Sequence, residues 1–362
     1  MAVGAAGDDS KVKKFHGFLL LVASFAMTTT LPTTGAAAPR WAIVVHGGAG
    51  VIERQHLTAE QEQAYREALR KVTDAGAKLL ASGKPALDVI EATIGMMEDD
   101  PLFNCGRGAV FTEQGRNELD AAIMDGKTLG AGAVAGVTRT RHPISLARRV
   151  MEASPHVMLV GSGADTFSAR QKLEQVEPGW FYTQRRWDAL LKYLQANKLP
   201  VPAKPPGIGN DPAPTGLVHD EGKKGTVGVV VLDTAGNVAA GTSTGGTTGK
   251  RWGRVGDSPI IGAGTYASNQ SCSVSATGTG EYFIRLSVAH EICSLVRYRG
   301  MSLQAAADEV IQKQLTELKG DGGIIAVAPD GQMAWSFNTS GMYRARAAEG
   351  QPLTIGVFKD ES

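Results

Sequence analysis

Cysteine is scarce in this chain: Cys105, Cys272 and Cys293 are the three found in 362 residues. Three cysteines do not make the multi-bridge framework of a disulfide-built domain, and their spacing matches no zinc pattern. An excess of charge of one sign is also missing. The 37 Lys and Arg residues against 36 Asp and Glu leave a net charge of +1, so charge calls for no nucleic acid or membrane surface as partner. None of the 7 histidines stands in a ligand cluster. There is no internal repeat of the length that marks solenoids or propellers. What remains is globular, 43% hydrophobic and 20% charged, and suits one large domain or two ordinary ones.

Glycine is abundant: 45 residues, or about 12% against an average near 7%. Much of it sits beside Ser and Thr, which suggests tight turns and backbone lining a polar site. At the N-terminus, Lys11, Lys13 and Lys14 precede an apolar run, Phe15 to Met27. Small residues, Thr33 to Ala38, follow before Pro39. That is the layout of a secretory signal peptide over 1–38, too short for a comfortable membrane span. It implies an exported or periplasmic protein with no membrane segment in its mature form, or a cytoplasmic one if the signal is not used.

From Trp41 the pattern alternates strands and helices. Trp41 to Gly47 reads as an apolar strand. Thr58 caps a helix over about 59–82, ending at Gly83. Pro85 opens a second helix to Asp99, and Pro143 a third over 144–153, with proline suited to a first turn. His156 to Gly161 reads as a short strand, and about 166–197 has helical spacing. Residues 199–225 are rich in Pro and Gly with mixed charge, and read as a flexible loop. Beyond it, Thr226–Asp233 (TVGVVVLD) and Asn237–Thr244 (NVAAGTST) form a hairpin through Thr234-Ala235-Gly236. Residues 281–298 and 302–315 read as helices, and 324–338 as a hairpin turned at Asp330-Gly331.

Gly225-Thr226-Val227-Gly228 carries the chemistry. A threonine hydroxyl is a poor nucleophile without a base, and its own α-amine can serve once the preceding peptide bond is cut. On this reading Gly225–Thr226 is the scissile bond and Thr226 the nucleophile. Alone, the tetrapeptide is also an ordinary strand start. Three later stretches shift the balance: TSTGG at 242–246, GRVGDSP at 253–259 and ATGTGE at 276–281. Each is rich in Gly, Thr or charge where a plain core would be Val and Leu. His46-Gly-Gly-Ala-Gly50 lacks the Lys-Ser/Thr of a phosphate loop and reads as a tight turn.

In these motifs, and in WAIVVHGGAG (41–50), PLFNCGRGAVFT (101–112), ELDAAIMDG (118–126), GAVAGV (132–137) and SPHVMLVG (154–161), the chain resembles the plant-type asparaginases, or isoaspartyl peptidases, of the threonine-type N-terminal-nucleophile hydrolases. The resemblance runs to about residue 340. It implies an α+β fold, a four-layer αββα sandwich. It implies self-cleavage into an α chain (39–225) and a β chain (226–362) of one domain, assembled as a dimer of αβ heterodimers. The substrates implied are small molecules, isoaspartyl dipeptides and L-asparagine.

Roles follow residue by residue. Thr244 matches the threonine that hydrogen-bonds the nucleophile. Thr277 and Gly278 match an oxyanion hole of one hydroxyl and one backbone N–H. Arg254 matches the reader of the substrate α-carboxylate and Asp257 that of its ammonium, to which Gly280 adds a carbonyl. Asn104 matches a residue supporting the nucleophile region. No cofactor is required. The family's structural sodium ion implies backbone carbonyls of Met97, Glu98, Asp100, Phe103, Cys105 and Arg107, a ligand set with no side-chain signature. Ala276 stands where relatives carry cysteine, a small-for-small change. Two alternatives remain: a glycosylasparaginase, in which Asp-Thr marks the cut and an acidic residue follows the Thr-Gly, where this chain has Gly225 and Thr279; and an inactive, uncleaved binding protein of the same fold.

Overall fold

A computed structural model describes residues 40–205 and 225–361. The 1–38 segment and most of the 199–225 loop lie outside the described residues. Twelve strands fall into two sheets among the described residues. The strands are β1 (Ala42–Gly50), β2 (Leu119–Asp125), β3 (Ala131–Val137), β4 (Met158–Val160), β5 (Val227–Leu232), β6 (Val238–Thr244), β7 (Thr265–Ala267), β8 (Ser273–Gly278), β9 (Gly322–Val327), β10 (Met333–Phe337), β11 (Gly341–Ala348) and β12 (Gln351–Phe358). The larger sheet runs β12-β11-β1-β5-β6-β2-β3-β4 and the smaller β10-β9-β8-β7.

Side chains alternate across a strand, and here both faces are covered. Ala42, Val44, Val230, Leu232 and Ala240 of the large sheet meet Ile325 and Val327 of the small one. Ile43, Val45, Val229 and Val231 point the other way, into α1 (Ala59–Ala81), α2 (Ala86–Glu98) and α3 (Pro143–Ala153). The outer face of the small sheet, Val274, Ala276, Ile324 and Ala326, packs on α6 (Gly280–Leu286), α7 (Val288–Arg299) and α8 (Leu303–Asp308). The result is the four-layer αββα sandwich. Each fully buried Leu, Ile or Val of these layers stabilises it by roughly 1.5–3 kcal/mol. A satellite cluster of Phe111, Tyr182, Trp187, Leu190 and Leu194 anchors α5 (Gln184–Ala196), whose predecessor α4 spans Gly161–Arg170.

Local signals agree with the elements they predict. The Thr58 hydroxyl accepts from Gln61 N at 3.3 Å and the Gln61 side chain accepts from Thr58 N at 2.9 Å, a reciprocal capping box. Three expectations need correction, all of them helices. The 166–197 run is two helices: α4 ends at Arg170, the chain turns left-handed at Lys172 with φ of 58°, and Pro178 opens a separate short turn before α5. The 281–298 helix breaks at Ser287, which has φ of 51°. The break lets the first amides of α7, Ala289 N and His290 N, donate to the carbonyls of Ala263 and Gly262. The 302–315 helix widens into a π-turn at Glu309–Leu315. Two of the cysteines do pair: α7 lies across β8 and brings Cys293 to Cys272 in a disulfide, leaving Cys105 free and buried.

Candidate active site

The antiparallel pairing of β5 with β6 matches Val227 with Ser243, which sets Thr226, just ahead of β5, opposite Thr244. The Thr226 hydroxyl donates to Thr244 Oγ1 at 3.1 Å, and Gly246 N donates to the same oxygen at 3.0 Å. Behind them lies a chain of neutral polar groups. His46 Nε2 stands 3.1 Å from Ser275 Oγ, Ser275 Oγ 2.7 Å from Thr242 Oγ1, and Thr265 Oγ1 donates to Thr242 Oγ1 at 2.7 Å. Burial pushes the His46 pKa down to about 3, so the ring is uncharged at neutral pH. Gly228 makes this stacking feasible: a Cβ there would stand 1.9 Å from Ser275 Oγ and 2.3 Å from His46 Nε2.

The His46–Gly50 stretch is not the expected tight turn. It is the end of β1, with a bulge between His46 and Gly48. Gly48 has φ of +112°, and a Cβ on it would come 2.8 Å from Gly225 Cα. Asn104, fully buried, ties the neighbouring loops together. Its Nδ2 donates to Gly246 O at 2.8 Å, its Oδ1 accepts from Val110 N at 2.9 Å, and its carbonyl accepts from Gly245 N at 2.9 Å.

A small pocket opens on this arrangement, walled by Gly225, Thr226, Thr244, Arg254, Asp257 and Gly278. Gly246, Thr247, Gly256 and Ser258 complete the wall; Thr247 borders and Ser258 lies within motifs singled out above, but neither carried a signal of its own. Thr277 is buried behind Gly278, its Oγ1 accepting from Ala49 N at 3.3 Å. That bond leaves the hydroxyl proton free to donate. Gly280 is also off the wall. A Cβ there would stand 2.8 Å from Asp257 Oδ1 and 3.1 Å from Arg254 Nη2, so only glycine allows this approach.

Arg254 and Asp257 share the pocket but do not pair as a surface couple. Arg254 is gripped by Glu281, Nε to Oε1 at 2.9 Å and Nη2 to Oε2 at 3.1 Å. Asp257 is buried, and its Oδ2 makes no hydrogen bond among the described residues. Burial pushes its pKa up to about 7; its own backbone amide and the Arg254 charge pull down, while Glu281 adds to the rise. An unpaired buried carboxylate facing a pocket is a cation acceptor in waiting, and a guanidinium beside it supplies the complementary anion site.

The sodium ion that the resemblance implies would be met in the 97–108 loop by backbone oxygens, donors that suit a hard cation. Gly106 and Gly108 let the carbonyls of Glu98 and Phe103 come close: a Cβ at either glycine would stand 2.1 Å and 2.0 Å from them respectively. The Glu98 side chain is engaged elsewhere, Oε1 accepting from Ser243 Oγ at 2.6 Å and Ile144 N at 3.0 Å. Among the described residues no group of His, Cys, Asp and Glu could hold a metal ion, and no helix is long and apolar enough to cross a membrane.

The asparaginase family matches residues 39–357. The chain belongs to that family. It is 47% identical to an isoaspartyl peptidase of Salmonella typhimurium over 88% of this chain and 98% of that protein. It is 42% identical to a probable isoaspartyl peptidase/L-asparaginase 2 of Arabidopsis thaliana, over 88% of this chain and 99% of that one. A plant-type L-asparaginase of Pyrococcus abyssi is 41% identical over 85% of this chain and 97% of its own length. Family membership leaves the chain's fold and its motifs in one account, that of an N-terminal-nucleophile hydrolase.

Proposed function

We propose that this enzyme hydrolyses isoaspartyl dipeptides and L-asparagine through Thr226, after scission of its own Gly225–Thr226 bond. The observation that carries the reading is the shared pocket: the Thr226 hydroxyl, hydrogen-bonded to Thr244, faces the same cavity as Arg254 and Asp257. A substrate with an α-carboxylate and an α-ammonium would set them on Arg254 and Asp257, with the Gly280 carbonyl beside the ammonium. Its side-chain carbonyl then reaches Thr226.

Scission frees the Thr226 α-amine, with an unperturbed pKa of about 7.7–8.0, as general base. The amine takes the hydroxyl proton as Oγ1 attacks the side-chain carbonyl. Negative charge on the carbonyl oxygen is met by Gly278 N–H and the Thr277 hydroxyl; one such donor contributes about 3–4 kcal/mol to transition-state stabilisation. Collapse returns the proton to the leaving ammonia or amino acid and leaves an aspartyl ester on Thr226. Water, deprotonated by the same amine, releases aspartate and restores the hydroxyl. A sodium ion on the 97–108 carbonyls would stiffen the loop that carries Asn104 and take no part in the chemistry.

Export of the precursor is supported by the lysine-led apolar run at 11–27 and by the Cys272–Cys293 bridge, which suits an oxidising compartment. The family resemblance supports a mature enzyme that is a dimer of αβ heterodimers. A denaturing gel tests the core of the reading. Two bands are expected, the smaller beginning Thr-Val-Gly-Val, together with turnover of L-asparagine and β-aspartyl-leucine in direct competition. A single full-length band in active enzyme overturns it.

A further inference from the structure

A guanidinium has two edges that can grip a carboxylate with paired donors, Nε with Nη2 and Nη1 with Nη2. In Arg254 the first edge is taken by Glu281. The second edge is turned to the pocket. Nη1 stands 2.8 Å from where a Cβ would be on Gly256 and 3.5 Å from where one would be on Gly246, and both glycines are pocket wall. Any side chain at 256 would cover the edge that glycine leaves open. We propose that Glu281 is a positioning residue for substrate recognition: by holding the Nε edge it aims the Nη1 edge of Arg254 at the substrate's α-carboxylate. The inference rests on the reading of Arg254 as the carboxylate site, and says how that site is held in shape.

The backbone puts Glu281 there. It follows Gly280 in the first turn of α6, and the bare Cα of Gly280 lets that turn lie against Asp257 and Arg254. An arginine side chain free to rotate would spread its fork over many directions, and fixing it on binding would weaken the substrate complex. Glu281 fixes it beforehand. Its side chain is 57% exposed and that of Arg254 19%, so an ion pair this open would add little to stability. Its value lies in aim. Glu281 also contributes a negative charge near Asp257, which favours the incoming ammonium.

Two other roles make opposite forecasts. If Glu281 were a surrogate carboxylate that substrate must displace, its removal would tighten binding. If it only braced the fold, kcat and KM would suffer together. The test is steady-state kinetics of processed enzyme with L-asparagine. Glu281→Ala should raise KM about ten-fold with kcat within about three-fold of wild type. Glu281→Asp, which keeps the charge, should recover part of the loss. In an Arg254→Lys background, where no second edge exists to be aimed, Glu281→Ala should change KM by less than about two-fold. An unchanged or lowered KM, a kcat falling in step with KM, or an undiminished effect in the Lys background would each overturn the proposal. A wild-type enzyme that releases no product from L-asparagine or β-aspartyl-leucine would instead overturn the functional reading, and this inference with it. A wild type that works beside a silent Glu281→Ala sinks the inference alone.

Discussion

The two walls of the pocket are made of opposite materials. On the nucleophile side stand Thr226 and Thr244, backed by Thr277, Thr242, Thr265, Ser275 and a neutral His46, all buried and hydrogen-bonded. On the recognition side stand Arg254 and Asp257, backed by Glu281, all ionisable, with Glu281 open to solvent. A wall of hydroxyls can orient a nucleophile without a fixed charge that would disturb the amine beside it. A wall of charges can read a zwitterion. On the proposed reading the precursor presents no free aspartyl α-groups, so only the first wall would be needed for self-cleavage.

That contrast breaks most visibly at Thr226. Thr226→Ala should leave the chain whole and reduce product release by roughly four orders of magnitude or more, since both reactions use one hydroxyl. Thr226→Ser keeps the hydroxyl and should cleave slowly. Gel and ammonia release read both outcomes, and near-native turnover by Thr226→Ala would remove the assignment. Arg254→Lys should behave otherwise. It keeps the charge but loses the fork, so kcat/KM should fall roughly 30- to several-thousand-fold with self-cleavage intact. If cleavage failed as well, the two walls would not be separable.

The pH profile sharpens the comparison further. On the proposed mechanism Asp257 must be ionised to take the ammonium, and burial raises its pKa to about 7. The Thr226 amine must be unprotonated, and a free α-amine has an unperturbed pKa of about 7.7–8.0. Both active forms are lost as pH falls, so kcat/KM should decline on the acid side with a slope approaching two protons. Asp257→Asn should lower the whole profile and leave a one-proton limb belonging to the amine. An unaltered two-proton slope in that variant would show that Asp257 does not titrate in the free enzyme.

Much of this was legible in the sequence wherever the signal is local. Thr58 and Gln61 announce their cap, unbroken apolar runs announce β1 and β5, and the order of motifs from Thr226 to Glu281 announces the family. What stayed hidden depends on where elements land. Glu281 reads as the opening of a helix, and only the close approach at Gly280 makes it a partner of Arg254. Thr247 and Ser258 become pocket wall only when the 245–258 loop folds over. His46 reads as part of a glycine-rich turn, whereas it continues the Ala42 and Val44 face of β1 and so points into the sandwich beneath the nucleophile. The break at Ser287 has no strong sequence mark, because its gain is the pair of hydrogen bonds from α7 to residues 262 and 263.

The smallest expected effect on catalysis falls outside both walls. Cys272 precedes β8, the strand that ends in Thr277 and Gly278, and Cys293 lies in α7. The bridge joins residues 21 apart in sequence, and closing a loop of that length stabilises a fold by about 3 kcal/mol. For a domain of this size that corresponds to roughly 5 °C in apparent Tm. The double variant Cys272→Ala/Cys293→Ala should therefore melt several degrees lower, while kcat/KM for L-asparagine stays within about two-fold, because neither sulfur reaches the pocket. Reductant should shift wild-type Tm toward that of the variant and leave the variant unmoved. A Tm equal in wild type and variant would mean that the bridge contributes nothing to the fold. A large loss of kcat/KM would mean instead that the bridge sets the position of Thr277 and Gly278, joining the outer helix layer to the nucleophile wall.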